Sequence, residues 1–239
     1  QTPESFARTL EQVIALRPDR VAAYGYAHLP ERFKAQRQID KYELPDASTR
    51  LTLLQQSVEM LTAAGYVHIG VDHFALPGDD LALALSAGTL QRNFQGYSTH
   101  AACDLVGFGM SAISHVGDSF SQNAKDLVGY YAALDNGRLP VQRGLWLDDD
   151  DLVRAELIQR LMCTGVIDIH AFEARHLVDF PQYFRGSLDR LRPLEADGLV
   201  TCAPERITVT ARGQFLLRNI AQCFDAHVGS PDIRYSRAV

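Results

Sequence analysis

Between Thr2 and Leu76 the chain twice repeats one order: apolar residues at helical spacing, then a short apolar run of strand type. Thr2-Pro3-Glu4 followed by Phe6, Leu10, Val13, Ile14 and Leu16 predicts a capped amphipathic helix with proline in its first turn, ended at Arg17-Pro18-Asp19. "RVAAYGYA" (20–27) is the first strand-like run, and "HLPERFKAQRQ" leaves it as a polar loop. After "PDAST", Leu51, Leu54, Val58, Leu61 and Thr62 keep helical spacing until Gly65, and "YVHIGVDHFAL" (66–76) is the second strand. Helix, strand, helix, strand at this rhythm is the α/β pattern, most simply a parallel sheet with crossover helices. Ligands of such sheets sit beyond the carboxyl ends of the strands. That rule would bring Tyr26-Ala27-His28, Asp72-His73-Phe74 and residues 92–99 to one rim.

Further along, "PGDDLALALSAG" predicts a short helix whose Asp79-Asp80 start suits the helix dipole. "DLVGFGMSAISH" (104–115) is another apolar run, in which Gly107 and Gly109 let the backbone approach a neighbour closely. These strands are too few to close an eight-stranded barrel. The expectation is therefore a partial barrel, and a chain starting at Gln1 reads as a piece of something longer.

The character changes near residue 136. "DNGRLPVQRGLWLDDDD" is a turn-rich connection, and Asp148 to Asp151 cap a helix over Leu152–Met162. "RLRPLEADGLVTCAPERITVTARGQFLLRNIAQCF" then reads as helix, strand, Pro-containing hairpin, strand, helix, the order of a winged-helix-like module. The division expected is an α/β barrel portion at 1–135, a small, mainly helical domain at 140–228 and a tail at 229–239.

Composition narrows the function classes. A net charge of −6 and a pI near 5.7 argue against a general nucleic-acid or anionic-membrane binder. No run approaches the ~18–20 apolar residues that a membrane helix needs, and "QTPESFARTLEQ" has no signal-peptide core. A cytoplasmic monomer is the expectation. Cys103, Cys163, Cys202 and Cys223 form no CxxC or CxxxCxxC group, so they read as reduced, mostly buried thiols.

Candidate sites separate on chemistry. Asp72-His73 at a strand end has the makings of an acid–base pair, although such neighbours more often form a hydrogen-bonded loop element. Asp148–Asp151 lacks the alternating ligand spacing of a calcium loop, so capping is the better reading. The last helix, "RGQFLLRNIAQCF", is too apolar for a nucleic-acid groove, and Arg206, Arg212 and Arg218 supply little charge there. "RNFQGYST" (92–99) sets an amide and a glycine between two aromatics, useful against a flat ligand with polar edges.

"YGYAHLPERFKAQRQI", "AGYVHIGVDHFALPGDDLA", "RNFQGYSTHAACDLVGFGMSAIS" and the ending "RNIAQCFD…RYSRAV" together closely resemble bacterial oxygen-independent coproporphyrinogen III oxidases, radical S-adenosylmethionine enzymes of haem biosynthesis. The resemblance runs from Gln1 to Val239 and matches the C-terminal half of that family. It implies a partial TIM-like barrel, a [4Fe–4S] cluster on a CxxxCxxC loop, S-adenosylmethionine and an electron donor. It also implies oxidative decarboxylation of two propionates of coproporphyrinogen III to vinyl groups, giving protoporphyrinogen IX by way of a 5′-deoxyadenosyl radical.

By the same resemblance Ala27 and Ile113 match S-adenosylmethionine contacts, and Phe94 with Gln95 matches a pair linked to a second molecule of that cofactor. Arg92, Arg234 and Arg237 are suggested for substrate carboxylates, which guanidinium forks fit well. The chain departs from the family pattern in lacking CxxxCxxC, so no metal ligand is assigned here and no turnover is expected of the chain alone. The rival readings are a non-catalytic haem- or tetrapyrrole-binding protein on the same scaffold, and a winged-helix regulator.

Overall fold

A computed structural model describes residues 1–31, 33–39, 41–93, 95–100 and 103–228, so the tail expected at 229–239 lies outside the described residues. Helix α1 (Pro3–Leu16) starts as the sequence demands: Thr2 accepts from the Ser5 amide while the Ser5 side chain answers the Thr2 amide. Leu10 on its inner face joins a core with Leu61, Tyr66 and Phe74. Strand β1 (Arg20–Ala22) is only the beginning of the predicted run; beyond it the chain crosses loops and two 3-10 turns to α2 (Ala47–Ala63), capped by Asp46.

The run 66–76 is not one strand. It folds back as a hairpin of β2 (Val67–Gly70) and β3 (His73–Ala75). Gly70 (φ 148°) and Val71 (φ 51°) make the reversal in a region that suits glycine and strains a β-branched residue. The sheet order is β1-β3-β2 with both pairings antiparallel, and the same holds for every strand pair among the described residues. The expected parallel neighbours are thus corrected. Strands β1 and β2 do point the same way across the α2 crossover, but the hairpin inserts β3 between them.

Helix α3 (Asp80–Ser86) leads into β4 (Gln91–Asn93) and β5 (Gly96–Ser98), so "RNFQGYST" is a β-hairpin. A third sheet follows, from β6 (Ile113–Val116), β7 (Ser119–Asn123) and β8 (Val141–Trp146), with α4 (Leu127–Asp135) between the last two. This portion is thinly covered. All of β8 is exposed and α4 buries none of its residues, leaving Trp146 at 80 % exposure and Val128 at 81 %.

The largest core belongs to the C-terminal part: α5 (Asp149–Thr164), β9 (Val166–Asp168), α6 (Ile169–His176), α7 (Phe180–Tyr183), α8 (Arg185–Ala196), β10 (Val200–Ala203), β11 (Arg206–Val209) and α9 (Leu217–Gln222). Here β11 pairs with both β10 and β9. Phe172, Phe180, Phe184 and Phe224 form an aromatic cluster with edge and tilted contacts at 4.7–5.8 Å between ring centres. The aspartate run serves helix α5. Asp148 caps the Asp151 amide, Asp150 binds Arg154 at 2.7 Å and the Tyr183 hydroxyl at 2.6 Å, and Asp151 meets His227 at 2.7 Å. Arg154 and Arg190 in turn cover the carbonyls of Phe224 and Cys223, closing the end of α9.

Candidate functional site

The hairpin turn at 70–73 is where three segments meet. The Ala23 amide donates to the Asp72 carbonyl at 2.7 Å, so the loop carrying Ala27 leaves β1 beside this turn. Asp72 is buried at 6 % exposure. Its Oδ1 lies 2.6 Å from Nδ1 of His73 as an ion-pair contact, and neither atom has a hydrogen-bond partner. Its Oδ2 accepts from Arg218 of α9 at 3.0 Å. Burial alone would raise the Asp72 carboxyl, but His73 and the Arg218 guanidinium outweigh it and hold it below the usual aspartate value.

The strained Val71 backbone is held from two sides. Its carbonyl is 3.2 Å from Nε2 of His68, and its side chain packs on the C-terminal core. His68 is itself stacked on Phe74, 4.9 Å between ring centres, and burial pushes its imidazole toward the neutral form. Backbone strain of this kind, about 1–3 kcal/mol, persists only where surroundings over-determine it and is concentrated at functional sites.

On its other side, His73 faces the β4–β5 hairpin. Its ring sits edge-on to Tyr97 at 5.3 Å, and a Cβ on Gly96 would start 3.2 Å from its Nε2. Gly96 has φ 126°, so glycine serves there both for conformation and for room. Tyr97 is buried and donates to the Met162 carbonyl at 3.0 Å, and burial pushes its phenol well above the ordinary value. The Arg92 guanidinium lies 5.7 Å from the Tyr97 ring centre, with its buried Nε lacking a hydrogen-bond partner.

The site residues expected from the sequence are thus only partly brought together. Gln95 is exposed at the turn, with its amide donating to Asn93 Oδ1 at 2.8 Å, directly before the Gly96 that His73 meets. Ala27 is exposed, and its carbonyl accepts from Gln36 Nε2 at 3.1 Å. Gln95 is thus one residue from the contact with His73, whereas Ala27 lies four residues beyond the Ala23 contact with Asp72. Ile113 opens the separate β6–β7–β8 sheet, pairing with Gln122. Phe94, Arg234 and Arg237 lie outside the described residues. Arg218 is the neighbour of this step that sequence reasoning did not connect with it. It is 146 residues from Asp72, and no local pattern joins them.

Comparison with known proteins now bears on the site. A family model described as the HemN C-terminal domain matches residues 147–216. The oxygen-independent coproporphyrinogen III oxidase of Pseudomonas aeruginosa is 48% identical over 240 residues, covering 100% of this chain and 52% of that protein. The oxidase of the same name from Thermostichus vulcanus is 41% identical over 241 residues, covering 100% of this chain and 74% of that protein. The chain belongs to the oxygen-independent coproporphyrinogen III oxidase family. A solved structure, reported as the Escherichia coli coproporphyrinogen III oxidase and a radical SAM enzyme, superposes with a TM-score of 0.90 at 46% identity, over 95% of this chain and 52% of that one. The chain spans about half the length of the Pseudomonas relative.

Two groups tied to that family fare differently against these residues. For an iron–sulfur cluster the fit fails: no group of three or more His, Cys, Asp or Glu suited to a metal occurs among the described residues. Cys163 and Cys223 are buried in packed cores, and burial pushes the Cys163 thiol up to about 11. For a nucleoside-like cofactor, the side chains of Gln95 and Ala27 are exposed and therefore open to a ligand.

Thiol reactivity should follow the same burial. With an aromatic disulfide reagent, exposed Cys103 is expected to react in the native protein, while Cys163 and Cys223 wait for denaturant. Peptide mapping of the labelled thiols checks this, and prompt native labelling of Cys163 would contradict the packing described.

Proposed function

We propose that this chain is the C-terminal half of a radical S-adenosylmethionine enzyme, cytoplasmic and monomeric, that oxidatively decarboxylates two propionates of coproporphyrinogen III. The observation that carries the reading is the Asp72–His73 step, which meets the loop leaving β1 at Ala23 and the β4–β5 turn at Gly96. In this reading Ala27, Phe94, Gln95 and Ile113 line the cofactor cavity, and Arg92 offers its guanidinium to a substrate carboxylate. When bound, S-adenosylmethionine would supply the radical chemistry, with a cluster and an electron donor from outside this chain. The work of this chain is to hold, orient and exclude water.

Residues 1–135 are read as part of a barrel, 140–228 as a winged-helix-like domain. Supporting the second is the order helix, strand, helices, hairpin, with β9 added to the edge of β11. Supporting the first is the exposure of large apolar residues such as Val106, Phe108 and Val128, surface that a further part of a barrel would cover.

The test is reconstitution. The chain alone, given S-adenosylmethionine, reductant and coproporphyrinogen III without oxygen, should give no vinyl product. Supplied with a polypeptide matching the N-terminal half of the Pseudomonas relative and a rebuilt cluster, it should turn over. Trp146 is the sole tryptophan and 80 % exposed, so its fluorescence should shift to the blue when the halves join. Product from the chain alone would overturn the reading, as would joined halves that decarboxylate nothing. A Soret band shift on adding haem to the chain would favour the non-catalytic binding protein instead.

A further inference from the structure

The junction at residues 70–73 is built from parts of the chain that the proposed reaction does not require to be in contact. Arg218 belongs to α9, which packs within the C-terminal core, yet its guanidinium reaches Asp72 at 3.0 Å. Asp72 meets the Nδ1 side of His73 at 2.6 Å. The opposite nitrogen of the same ring faces Gly96, where even a Cβ would have only 3.2 Å of clearance. A second line runs in parallel: Tyr97, next to Gly96, donates to the Met162 carbonyl of α5, and Gln91 accepts from Gln159 of α5 at 2.9 Å. The β4–β5 hairpin is therefore tied to α5 at Gln91 and at Tyr97, while its turn is backed by His73.

We propose that Arg218, Asp72 and His73 form a positioning relay through which α9 of the C-terminal part fixes the Gln95–Gly96 turn. Three observations converge on it. Asp72 is a buried carboxylate whose two oxygens are divided between the two partners, the arrangement in which one charge orients an imidazole and a guanidinium at once. Asp72 lies against Nδ1 of His73, which leaves the Nε2 side of the ring toward Gly96. Val71, one residue before the dyad, is kept in a left-handed conformation by His68 and by the C-terminal core, so the turn does not hold itself. His73 acts through the turn it supports and is a positioning residue. Only in naming the turn's ligand does this rest on the function proposed above.

The experiment uses the full 239-residue chain. Histidine ring resonances report the tautomer of His73, and amide exchange reports the turn. In R218A and in D72N the His73 ring nitrogens should shift, and exchange at Gly96 and Tyr97 should accelerate at least tenfold. Exchange at Ile207 and Val209 in the C-terminal sheet should stay within twofold. R218K, which keeps the charge, should restore part of the protection. Should R218A fail to fold, H73Q provides the same reading, because glutamine can place a polar atom near the Nε2 position: it should protect the turn better than H73A does. Gly96 and Tyr97 exchanging at the native rate in both R218A and H73A would overturn the relay, as would His73 resonances unmoved in D72N. None of these readouts depends on turnover, so an enzyme lacking the proposed activity would leave them intact and the two failures stay separable.

Discussion

Replacing Phe184 by alanine is expected to remove about 3–5 kcal/mol of stability, the usual cost of truncating a fully buried phenylalanine. Phe184 is 0 % exposed and sits at the centre of the aromatic cluster, with Phe180 4.7 Å, Tyr183 4.9 Å, Phe224 5.7 Å and Phe172 5.8 Å from its ring centre. The Arg154 guanidinium lies over the same ring at 5.3 Å while it holds the Phe224 carbonyl. The cavity would therefore loosen both the core and the closure of α9. Since a domain has only about 5–15 kcal/mol in hand, the C-terminal part should unfold at a far lower urea concentration. Near-ultraviolet dichroism and amide exchange in α5 and β11 would follow it. Phe108, 89 % exposed, is the control: its alanine variant should stay within about 0.5 kcal/mol of the parent. Equal costs for the two variants would mean that the cluster is not the closed core described.

The features that sequence reasoning found are those encoded locally. The start at Thr2 and the capping aspartates Asp148–Asp151 are such features, for Thr2 and Asp148 each stand within three residues of the amide they serve. Helical apolar spacing likewise placed α1, α2 and α5, because burial of one face repeats every three to four residues. The single strand predicted at 66–76 failed because the reversal depends on Val71, whose left-handed backbone no propensity favours. Pattern alone cannot tell a largely apolar run that continues from one that doubles back. Among the candidate residues, Gln95 and Ala27 were reachable through a motif, and Asp72-His73 through its chemistry. Arg218 and Tyr97 act over long separations, to Asp72 and to the Met162 carbonyl, and only the folded chain joins them.

Gly70 offers the second large effect, because two separate penalties fall on one position. Its φ of 148° suits glycine, and a Cβ there would overlap the Tyr97 hydroxyl. Tyr97 cannot simply move away. Its ring is buried between His73 and the Arg92 guanidinium, and its hydroxyl serves the buried Met162 carbonyl. G70A should therefore cost about 1–3 kcal/mol for overpacking, with a comparable cost of about 1–3 kcal/mol if the hydroxyl is pushed off its acceptor. Gly65 separates the two causes. It also has a positive φ, 90°, but a Cβ there would meet nothing within 4 Å, so G65A should show the backbone penalty alone, about 1–2 kcal/mol. The decisive comparison is the double variant G70A/Y97F. Removing the hydroxyl deletes the overlapping atom, so this variant should be at least about 1 kcal/mol more stable than the sum of its single changes requires, since neighbours in contact are not additive. Strict additivity in equilibrium unfolding would show that Gly70 and Tyr97 do not meet. The link between the 70–73 turn and the Gln95 hairpin would then lose its packing support, leaving only His73 against Gly96.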